Sequence, residues 1–241
     1  MVQGGGDAND HLTTRLTDIS EELVLNQAMI QVSQAVGVQY QGLASLLIET
    51  KGGGDVLAVE NTHSGTTTID TGVDADVVNI KASQGIVNLR TGAANDTIHI
   101  GSEGPHENGV LNSIGADLRI EGGGDTDRLT IDDSADPLRN NGTLTATSLF
   151  GFGINGQLDY GSVEFLELNL GTGGDSATIS STHAGHTRIS TNDGADTVTV
   201  QSVSGETIVS TGNDTDAVHV RGIDASTTVS TGGDADTVTV G

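Results

Sequence analysis

Residues 226–241 read STTVSTGGDADTVTVG, and the same pattern recurs upstream at a fixed step of 20 residues. Residues 206–220 read ETIVSTGNDTDAVHV, and residues 186–200 read HTRISTNDGADTVTV. Asp236, Asp216 and Asp196 occupy the same place in these copies, and Asp76 and Asp96 repeat the spacing earlier in the chain. A period of about 20 residues is typical of a solenoid, in which each unit buries its apolar face against its neighbours.

Alternating side chains predict a β-strand on each side of the aspartate. Apolar residues follow the aspartate at alternate positions in each copy: Val238 and Val240, Val218 and Val220, Val198 and Val200, Ile98 and Ile100, Val78 and Ile80. On the preceding strand the inward positions hold an apolar residue followed by threonine, as in Val209 and Thr211 or Ile69 and Thr71. We predict that these threonines hydrogen-bond along the stack, because a buried hydroxyl needs a partner.

A second, longer repeat of 120 residues contains the 20-residue repeat. It aligns Tyr40 with Tyr160, and residues 53–55 (GGD) with 173–175 (GGD). Since 120 is six times 20, we expect each large unit to contain a whole number of coils. Residues 21–36 are compatible with a helix, but their copy, GTLTATSLFGFGINGQ (142–157), contains glycine and β-branched residues that disfavour one. We therefore predict strands in both.

These patterns predict an all-β fold: a right-handed parallel β-helix or β-solenoid with about 20 residues per coil. Two units, residues 1–120 and 121–241, are expected to stack in one continuous rod. Pro105 and the glycines of residues 101–109 (GSEGPHENG) predict a loop that leaves the stack. We see no cluster of residues that breaks the regularity to form a pocket.

Composition agrees with a thin, regular core. Only 2% of the 241 residues are aromatic and 34% are hydrophobic, whereas 35 are glycine. The net charge of −24 excludes a nucleic-acid partner held through phosphates and an anionic membrane surface, and it favours cations. No apolar run is long enough for a membrane helix, the N-terminus lacks the pattern of a secretory signal, and the absence of cysteine excludes disulfides.

The turn at residues 231–239, TGGDADTVT, resembles the calcium-binding nonapeptide of RTX proteins, G-G-x-G-x-D-x-U-x, where U is apolar. Gly232, Asp236 and Val238 fall on its second glycine, its aspartate and its apolar position, whereas Thr231 and Asp234 replace the other two glycines. In that family calcium lies between successive turns, held by backbone carbonyls and the aspartate. Here the motif occurs once per 20 residues, not in tandem, so only one side of the rod is expected to carry such sites.

The larger unit resembles repeats found many times over in giant bacterial and related surface proteins. The counterparts here are residues 142–147 (GTLTAT), 159–175 (DYGSVEFLELNLGTGGD), 181–187 (STHAGHT) and 190–200 (STNDGADTVTV). The resemblance covers nearly the whole chain. It implies a place inside a very long extracellular or cell-surface polypeptide.

Stacking puts like charges in register. Unit charges about 5 Å apart repel by about 0.8 kcal/mol in bulk water and about 3 kcal/mol at an effective dielectric constant of 20. Calcium takes carboxylate and carbonyl oxygens and would cancel this repulsion. The predicted ligands are Asp76, Asp96, Asp196, Asp216 and Asp236, with Asp74, Asp193, Asp214 and Asp234 as helpers and Asp127 and Asp175 in the less regular turns. The alternative is that these aspartates only close the turns by accepting backbone N–H bonds.

The remaining candidates for chemistry have simpler interpretations. His99 and His219 lie alone on outward strand positions, which indicates solvated surface residues. Acid pairs such as Asp132 and Asp133, or Glu164 and Glu167, suggest a carbohydrate-active β-helix. The chain nevertheless has no tryptophan for a sugar platform. Outward threonines suggest an ice-binding face, but Ala217 and His219 interrupt the row.

We therefore expect a structural, non-enzymatic role: a calcium-stabilised repeat segment of an extracellular surface, stalk, fibre or adhesin protein. The expected partners are calcium ions and neighbouring repeats of the same or identical chains, stacked end to end, without nucleic acid or direct membrane insertion. The alternative is a carbohydrate-binding or carbohydrate-active parallel β-helix.

Overall fold

The structure is a computed structural model that describes residues 1–5, 10–33 and 37–241. These residues form 24 β-strands, arranged in two sheets of 12 strands each, and none of them is helical. The described residues accordingly offer no helix that could span a membrane. The predicted all-β fold and the predicted strands within residues 21–36 are confirmed.

The first sheet contains the following strands in spatial order: β1 (Val2–Gln3), β5 (Val38–Gln41), β4 (Met29–Val32), β3 (Glu22–Asn26), β7 (Val56–Val59), β9 (Val77–Ile80), β11 (Thr97–Ile100), β13 (Arg128–Asp132), β17 (Phe165–Asn169), β19 (His186–Ser190), β21 (Thr207–Ser210) and β23 (Thr227–Ser230).

The second sheet contains β2 (His11–Arg15), β6 (Ser45–Glu49), β8 (Thr66–Asp70), β10 (Val87–Gly92), β12 (Leu118–Gly123), β16 (Gln157–Gly161), β15 (Ser148–Gly151), β14 (Asn141–Leu144), β18 (Ser176–Ile179), β20 (Thr197–Val200), β22 (Ala217–Val220) and β24 (Thr237–Val240).

From β6 to β14 and again from β16 to β24, consecutive strands lie in opposite sheets, so the chain passes back and forth between them. Most neighbours within a sheet are parallel, and in the regular parts of the stack their paired residues are 20 or 21 apart, as in Val77 with Thr97 or Ser176 with Thr197. Between β10 and β12 the offset grows, because Val87 pairs with Leu118. The additional residues form the loop predicted around Pro105. This arrangement is compatible with a β-solenoid.

The core lies between the two sheets and consists of the predicted inward positions. Ile69, Leu89 and Ile120 follow one another across adjacent strands of the second sheet, and each is at most 1% exposed. Alternation along a strand gives each sheet one buried face and one outer face. The thin core therefore consists mainly of valine, isoleucine and leucine in registered columns.

The inward threonines hydrogen-bond along the stack in the first unit, as predicted. The hydroxyl of Thr50 donates to the carbonyl of Thr71, and that of Thr71 donates to the carbonyl of Thr91, both at 3.0 Å. In the second unit the prediction is wrong for Thr191 and Thr211. The hydroxyl of Thr191 donates to the carboxylate of Asp196, and that of Thr211 is buried without a hydrogen-bond partner among the described residues. The same residue type thus has two partners within reach: a carbonyl of the neighbouring strand and a carboxylate of its own turn.

Each unit also contains an antiparallel meander that the repeat pattern does not reveal. Strands β3, β4 and β5 form the first, and β14, β15 and β16 form the second. A tyrosine closes each one: Tyr40 donates to the carbonyl of Asn26, and Tyr160 to the carbonyl of Thr145, both at 2.5 Å. Three strands of each meander therefore lie within a single sheet before the chain crosses over again.

The expectation that 120 residues span a whole number of coils is wrong. Strand β6 lies in the second sheet, whereas its copy 120 residues later, β17, lies in the first sheet. The three strands of the meander stay in one sheet, and the loop at residues 101–117 contains no strand. The chain therefore crosses from one sheet to the other an odd number of times in 120 residues. Equivalent turns of the two units consequently lie at opposite edges of the sheets.

Candidate metal centre

Acidic side chains stack in two columns through backbone hydrogen bonds. In each column the backbone N–H of one residue donates to the side-chain oxygen of the next, at 2.6–3.0 Å. We define the first column as Glu21, Asp55, Asp76, Asp96, Asp127 and Glu164. The second column comprises Asn140, Asp175, Asp196, Asp216 and Asp236.

The two columns run along opposite edges. Members of the first column lie in turns that lead from the second sheet to the first, as Asp76 does between β8 and β9. Members of the second column lie in turns that lead from the first sheet to the second, as Asp196 does between β19 and β20. The expectation that only one side carries the motif is therefore wrong, and the cause is the odd number of crossings described above.

The local sequence explains why the aspartates point into the stack. In the turn at residues 71–76, Gly72 and Asp74 adopt left-handed conformations, with φ of +95° and +78°. A Cβ on Gly72 would lie 1.9 Å from the carbonyl oxygen of Lys51, so only glycine fits there. This tight turn directs the side chain of Asp76 inward, against the N–H of Asp55.

The predicted helper aspartates lie on the outside of the same turns. Asp74, Asp193, Asp214 and Asp234 are exposed, whereas Asp76, Asp196 and Asp216 are each 1% exposed. The outer carboxylates accept their own backbone hydrogen bonds: Asp74 from Gly53 at 2.9 Å, and Asp234 from Asp214 at 3.2 Å. The structure therefore separates the predicted ligands into a buried set and an exposed set, with Asp236 half-buried between them.

Burial raises the pKa of the inner carboxylates. Desolvation raises the pKa of Asp76 to about 6 and that of Asp196 to about 7, although the backbone N–H that each carboxylate accepts, and for Asp196 also the hydroxyl of Thr191, oppose the change. Desolvation also raises the pKa of Asp127 to about 6. The negative charge of these columns is therefore costly in the absence of a proton or a cation.

One oxygen of most inner carboxylates is buried without a hydrogen-bond partner among the described residues. These atoms are the Oδ2 atoms of Asp55, Asp76, Asp96, Asp127, Asp175 and Asp216. A buried, unpaired carboxylate oxygen is unfavourable by several kcal/mol unless something binds it. The unpaired atoms recur in register along both columns. The need for a proton or a cation at these oxygens is therefore a property of the repeat.

Calcium fits the chemistry of these oxygens. Neighbouring strands are about 4.8 Å apart, roughly twice a calcium–oxygen distance of about 2.3–2.6 Å. No three His, Cys, Asp or Glu side chains in the described part of the chain are close enough together to hold a metal ion. One ion could therefore be shared by at most two of these carboxylates, and threonine hydroxyls, carbonyls and water would have to supply its other ligands, so calcium remains a prediction.

Without metal, the melting temperature is expected to fall as the pH rises from about 4 to about 7. The pKa of Asp76 is about 6 and that of Asp196 about 7 in the folded chain, against 3.8 for an unperturbed aspartate. The folded chain therefore holds more protons than the unfolded chain in this window. The stability present at low pH is lost as the carboxyls ionise. Thermal melts of metal-stripped protein at several pH values measure this.

Comparison of the same melts for D76N/D196N isolates the columns. Buried His63 and half-buried His183 act in the opposite sense, because desolvation lowers their pKa and their protonation at low pH opposes folding. We expect the fall between pH 4 and pH 7 to shrink in the double variant. An unchanged pH profile would contradict the assignment to these columns.

Sequence reasoning missed the ends of the columns. Asp55, Glu21 and Glu164 extend the first column, and Asn140 extends the second. Asp55 was detectable, since residues 53–55 match residues 173–175 and Asp175 is among the predicted ligands. Glu21, Asn140 and Glu164 lie outside the 20-residue step, and the structure alone places them.

The acid pair suggested for catalysis is part of a buried polar cluster. Asp133 is fully buried, accepts the N–H of Leu111 at 2.8 Å and binds the side-chain amide of Asn140 at 2.9 Å. Asp136 binds the same amide at 3.2 Å. Desolvation raises the pKa of Asp133 to about 7. These contacts brace the loop between β13 and β14.

Comparison with known protein families, curated proteins and solved structures finds no match for this chain. The similarity to RTX nonapeptides and to giant surface-protein repeats is therefore a resemblance of sequence pattern.

Proposed function

We propose that this chain is a structural spacer, a calcium-stabilised repeat segment of a long extracellular surface, stalk, fibre or adhesin protein. Its fold would be a right-handed β-solenoid with about 20 residues per coil. The observation that carries the proposal is the continuity of the sheets, since strands from residues 1–120 and 121–241 belong to the same two sheets. In such a stack, coil number sets the length of the rod.

We propose neighbouring repeats of the same or an identical chain as partners, stacked end to end. The constant register of β20, β22 and β24 supports this, because a coil of the same pattern can join the stack by the same parallel pairing.

Calcium would contribute stiffness in this proposal. The first column aligns six acidic residues along one edge and the second aligns four along the other, and neighbouring carboxylates repel when both are charged. An ion shared between successive carboxylates supplies positive charge and ties one coil to the next. The chain's own residues provide the acceptors, the unpaired Oδ2 atoms, and the glycine turns that hold them in register.

Calcium is expected to raise the melting temperature of metal-stripped protein at pH 7.5. Ligand at about 100 times its dissociation constant stabilises the folded state by about 2.7 kcal/mol per independent site. For a chain of this size that corresponds to roughly 5–10 °C per site. Differential scanning calorimetry with increasing calcium, together with isothermal titration calorimetry, measures both effects.

Magnesium and sodium at matched ionic strength are the controls, because general screening would act equally for all salts. A selective response to calcium supports the proposal. No heat of binding and no change in melting temperature at millimolar calcium would contradict it, and the aspartates would then only close their turns.

The competing interpretation is a carbohydrate-active enzyme. The carboxylates of Asp132 and Asp133 accept hydrogen bonds from backbone N–H groups, and Asp133 also accepts one from the side-chain amide of Asn140. These bonds support a structural role for the acid pair. We therefore propose no catalytic activity for this chain. A binding function on the outer face rests on different residues.

A further inference from the structure

The outer face of the first sheet carries a groove that interrupts the regular pattern. We define the groove by Arg128 on β13, Phe165 and Glu167 on β17, and His186 and Arg188 on β19. Three adjoining hollows of about 180–190 Å³ lie there, and Glu167 lines all of them. Residues 101–109 flank the groove, and their Pro105 and Glu107 line the middle hollow.

Flat side chains stack across the strands of the groove. The rings of Phe165 and His186 are nearly parallel, at 6°, with centroids 4.8 Å apart. The guanidinium carbon of Arg128 lies 5.0 Å from the centre of the Phe165 ring, on the neighbouring strand. His186 in turn lies 3.0 Å from Glu206. The stack is thus a rigid surface with apolar and polar edges towards solvent.

The groove also presents unused hydrogen-bond donors. Arg128 and Arg188 each approach Glu167 at 3.7 Å, which is too long for a hydrogen bond. Neither guanidinium donates a hydrogen bond to any residue in the described ranges. Their side chains are 48% and 58% exposed, so these N–H groups are available to a ligand.

The first unit provides an internal comparison. Ser45 and Leu47 on β6 pair with Thr66 and Thr68 on β8 in the register in which Phe165 and Glu167 pair with His186 and Arg188. The same fold positions therefore accept small or uncharged side chains. Because outward positions do not build the core, stability does not require the ring stack or the charges of the second unit. Their concentration at neighbouring positions indicates a separate role.

The chemistry of the groove favours an uncharged, hydroxyl-rich ligand. Guanidinium donors alternate with acceptors on Glu167, Glu107 and Asn169, and a sugar hydroxyl can both accept and donate. The ring stack offers an apolar surface for the C–H groups of a sugar. A polyanion would meet the carboxylates of the groove and a chain of net charge −24.

A peptide fits less well. Extended peptides bind at open sheet edges, and helical peptides bind in deep apolar grooves. Strands β13, β17 and β19 are paired on both sides, so their backbone groups are already used. We propose that this groove binds an uncharged saccharide chain, with Arg128 and Arg188 as donors and Phe165 and His186 as the stacking surface.

Affinity electrophoresis in gels that contain a soluble polysaccharide tests the proposal on the full chain in calcium. Neutral β-glucan, mannan and galactan serve as probes, with polygalacturonate as the charged comparison. At least one neutral polymer is expected to retard the protein. The R128T/R188T variant should lose at least about tenfold in affinity, because it removes the paired donors. F165S should weaken binding as well.

R90T/R119T is the matched control. It removes two arginines from outward positions of β10 and β12 on the other sheet, so its net charge equals that of R128T/R188T. The control should bind like the unmodified chain. Retardation by polygalacturonate alone, equal losses in both double variants, or no retardation by any polymer would overturn the proposal. Melting temperatures show whether each variant is folded, and they report on the calcium-stabilised spacer independently of saccharide binding.

Discussion

Replacing Gly92 by alanine is expected to destabilise the chain by about 3–5 kcal/mol. Gly92 has a φ of +95°, and a Cβ there would lie 1.9 Å from the carbonyl oxygen of Gly72. The obstructing atom belongs to the backbone of the neighbouring turn, so it cannot rotate away. Moving it would disturb the hydrogen bond that this carbonyl accepts from Ala93 at 3.1 Å.

Chemical denaturation and thermal melts measure the loss, which should lower the melting temperature by roughly 6–20 °C. Gly124→Ala is the control, since the nearest atom to a Cβ at Gly124 is 3.9 Å away. This substitution should change stability by less than about 1 kcal/mol. Similar melting temperatures for the two variants would show that the glycine turns relax and that their stacking does not hold the aspartates in place.

The 20-residue step and the alternation of side chains explain how far the sequence predicts the fold. The step from Asp196 to Asp216 and Asp236 reports directly on pairing, because successive strands of one sheet pair residues 20 apart in this part of the chain. The two-residue alternation around them predicts which side chains are buried. Both signals are local and periodic, so a single sequence is enough to detect them.

The meanders were not predictable in the same way. Residues 142–157 signal strands, but no local feature shows that β15 runs antiparallel to its neighbours and that all three strands stay in one sheet. That choice depends on long-range pairing, including the contact of Tyr160 with Thr145. The meander also determines the edge along which the second column lies. Because its three strands stay in one sheet, every later turn is moved to the opposite edge of the sheets.

The groove was missed for a related reason. Arg128, Phe165 and His186 are 37 and 21 residues apart in sequence and become neighbours only through the register of three strands. One of those strand pairs spans a meander. A cluster built on outward positions leaves no periodic signal, because it departs from the repeat. Comparison of the two units strand by strand, once their register is known, reveals it.

Asp96→Asn is expected to raise the stability of metal-stripped protein by about 1–3 kcal/mol at pH 7.5, because it removes a buried, unpaired charge that lies between two others. Asp96 is 1% exposed, its Oδ2 has no hydrogen-bond partner among the described residues, and Asp76 and Asp127 flank it in the first column. Asparagine keeps the oxygen that accepts the N–H of Asp76 at 2.8 Å, and it removes the charge that both neighbours repel. Thermal melts in chelated buffer measure the gain.

Two further variants separate charge from hydrogen bonding. Asp96→Ala also removes the charge but leaves the buried N–H of Asp76 without its acceptor, so it should be less stable than Asp96→Asn by about 1–3 kcal/mol. Asp74→Asn changes an exposed carboxylate of a nearby turn and should have little effect. A destabilising Asp96→Asn substitution in chelated buffer would contradict the repulsion argument.

Calcium should reverse the order of Asp96→Asn and the unmodified chain. A carboxylate shared with Asp76 or Asp127 is a stronger calcium ligand than an amide, so the variant should gain less from calcium than the unmodified chain. The sign of its effect then depends on the metal: stabilising without calcium and destabilising with it. A column that only closes turns predicts no such reversal, because its hydrogen bonds are the same in both buffers. The reversal therefore tests whether the buried oxygens bind cations, independently of any change in the fold.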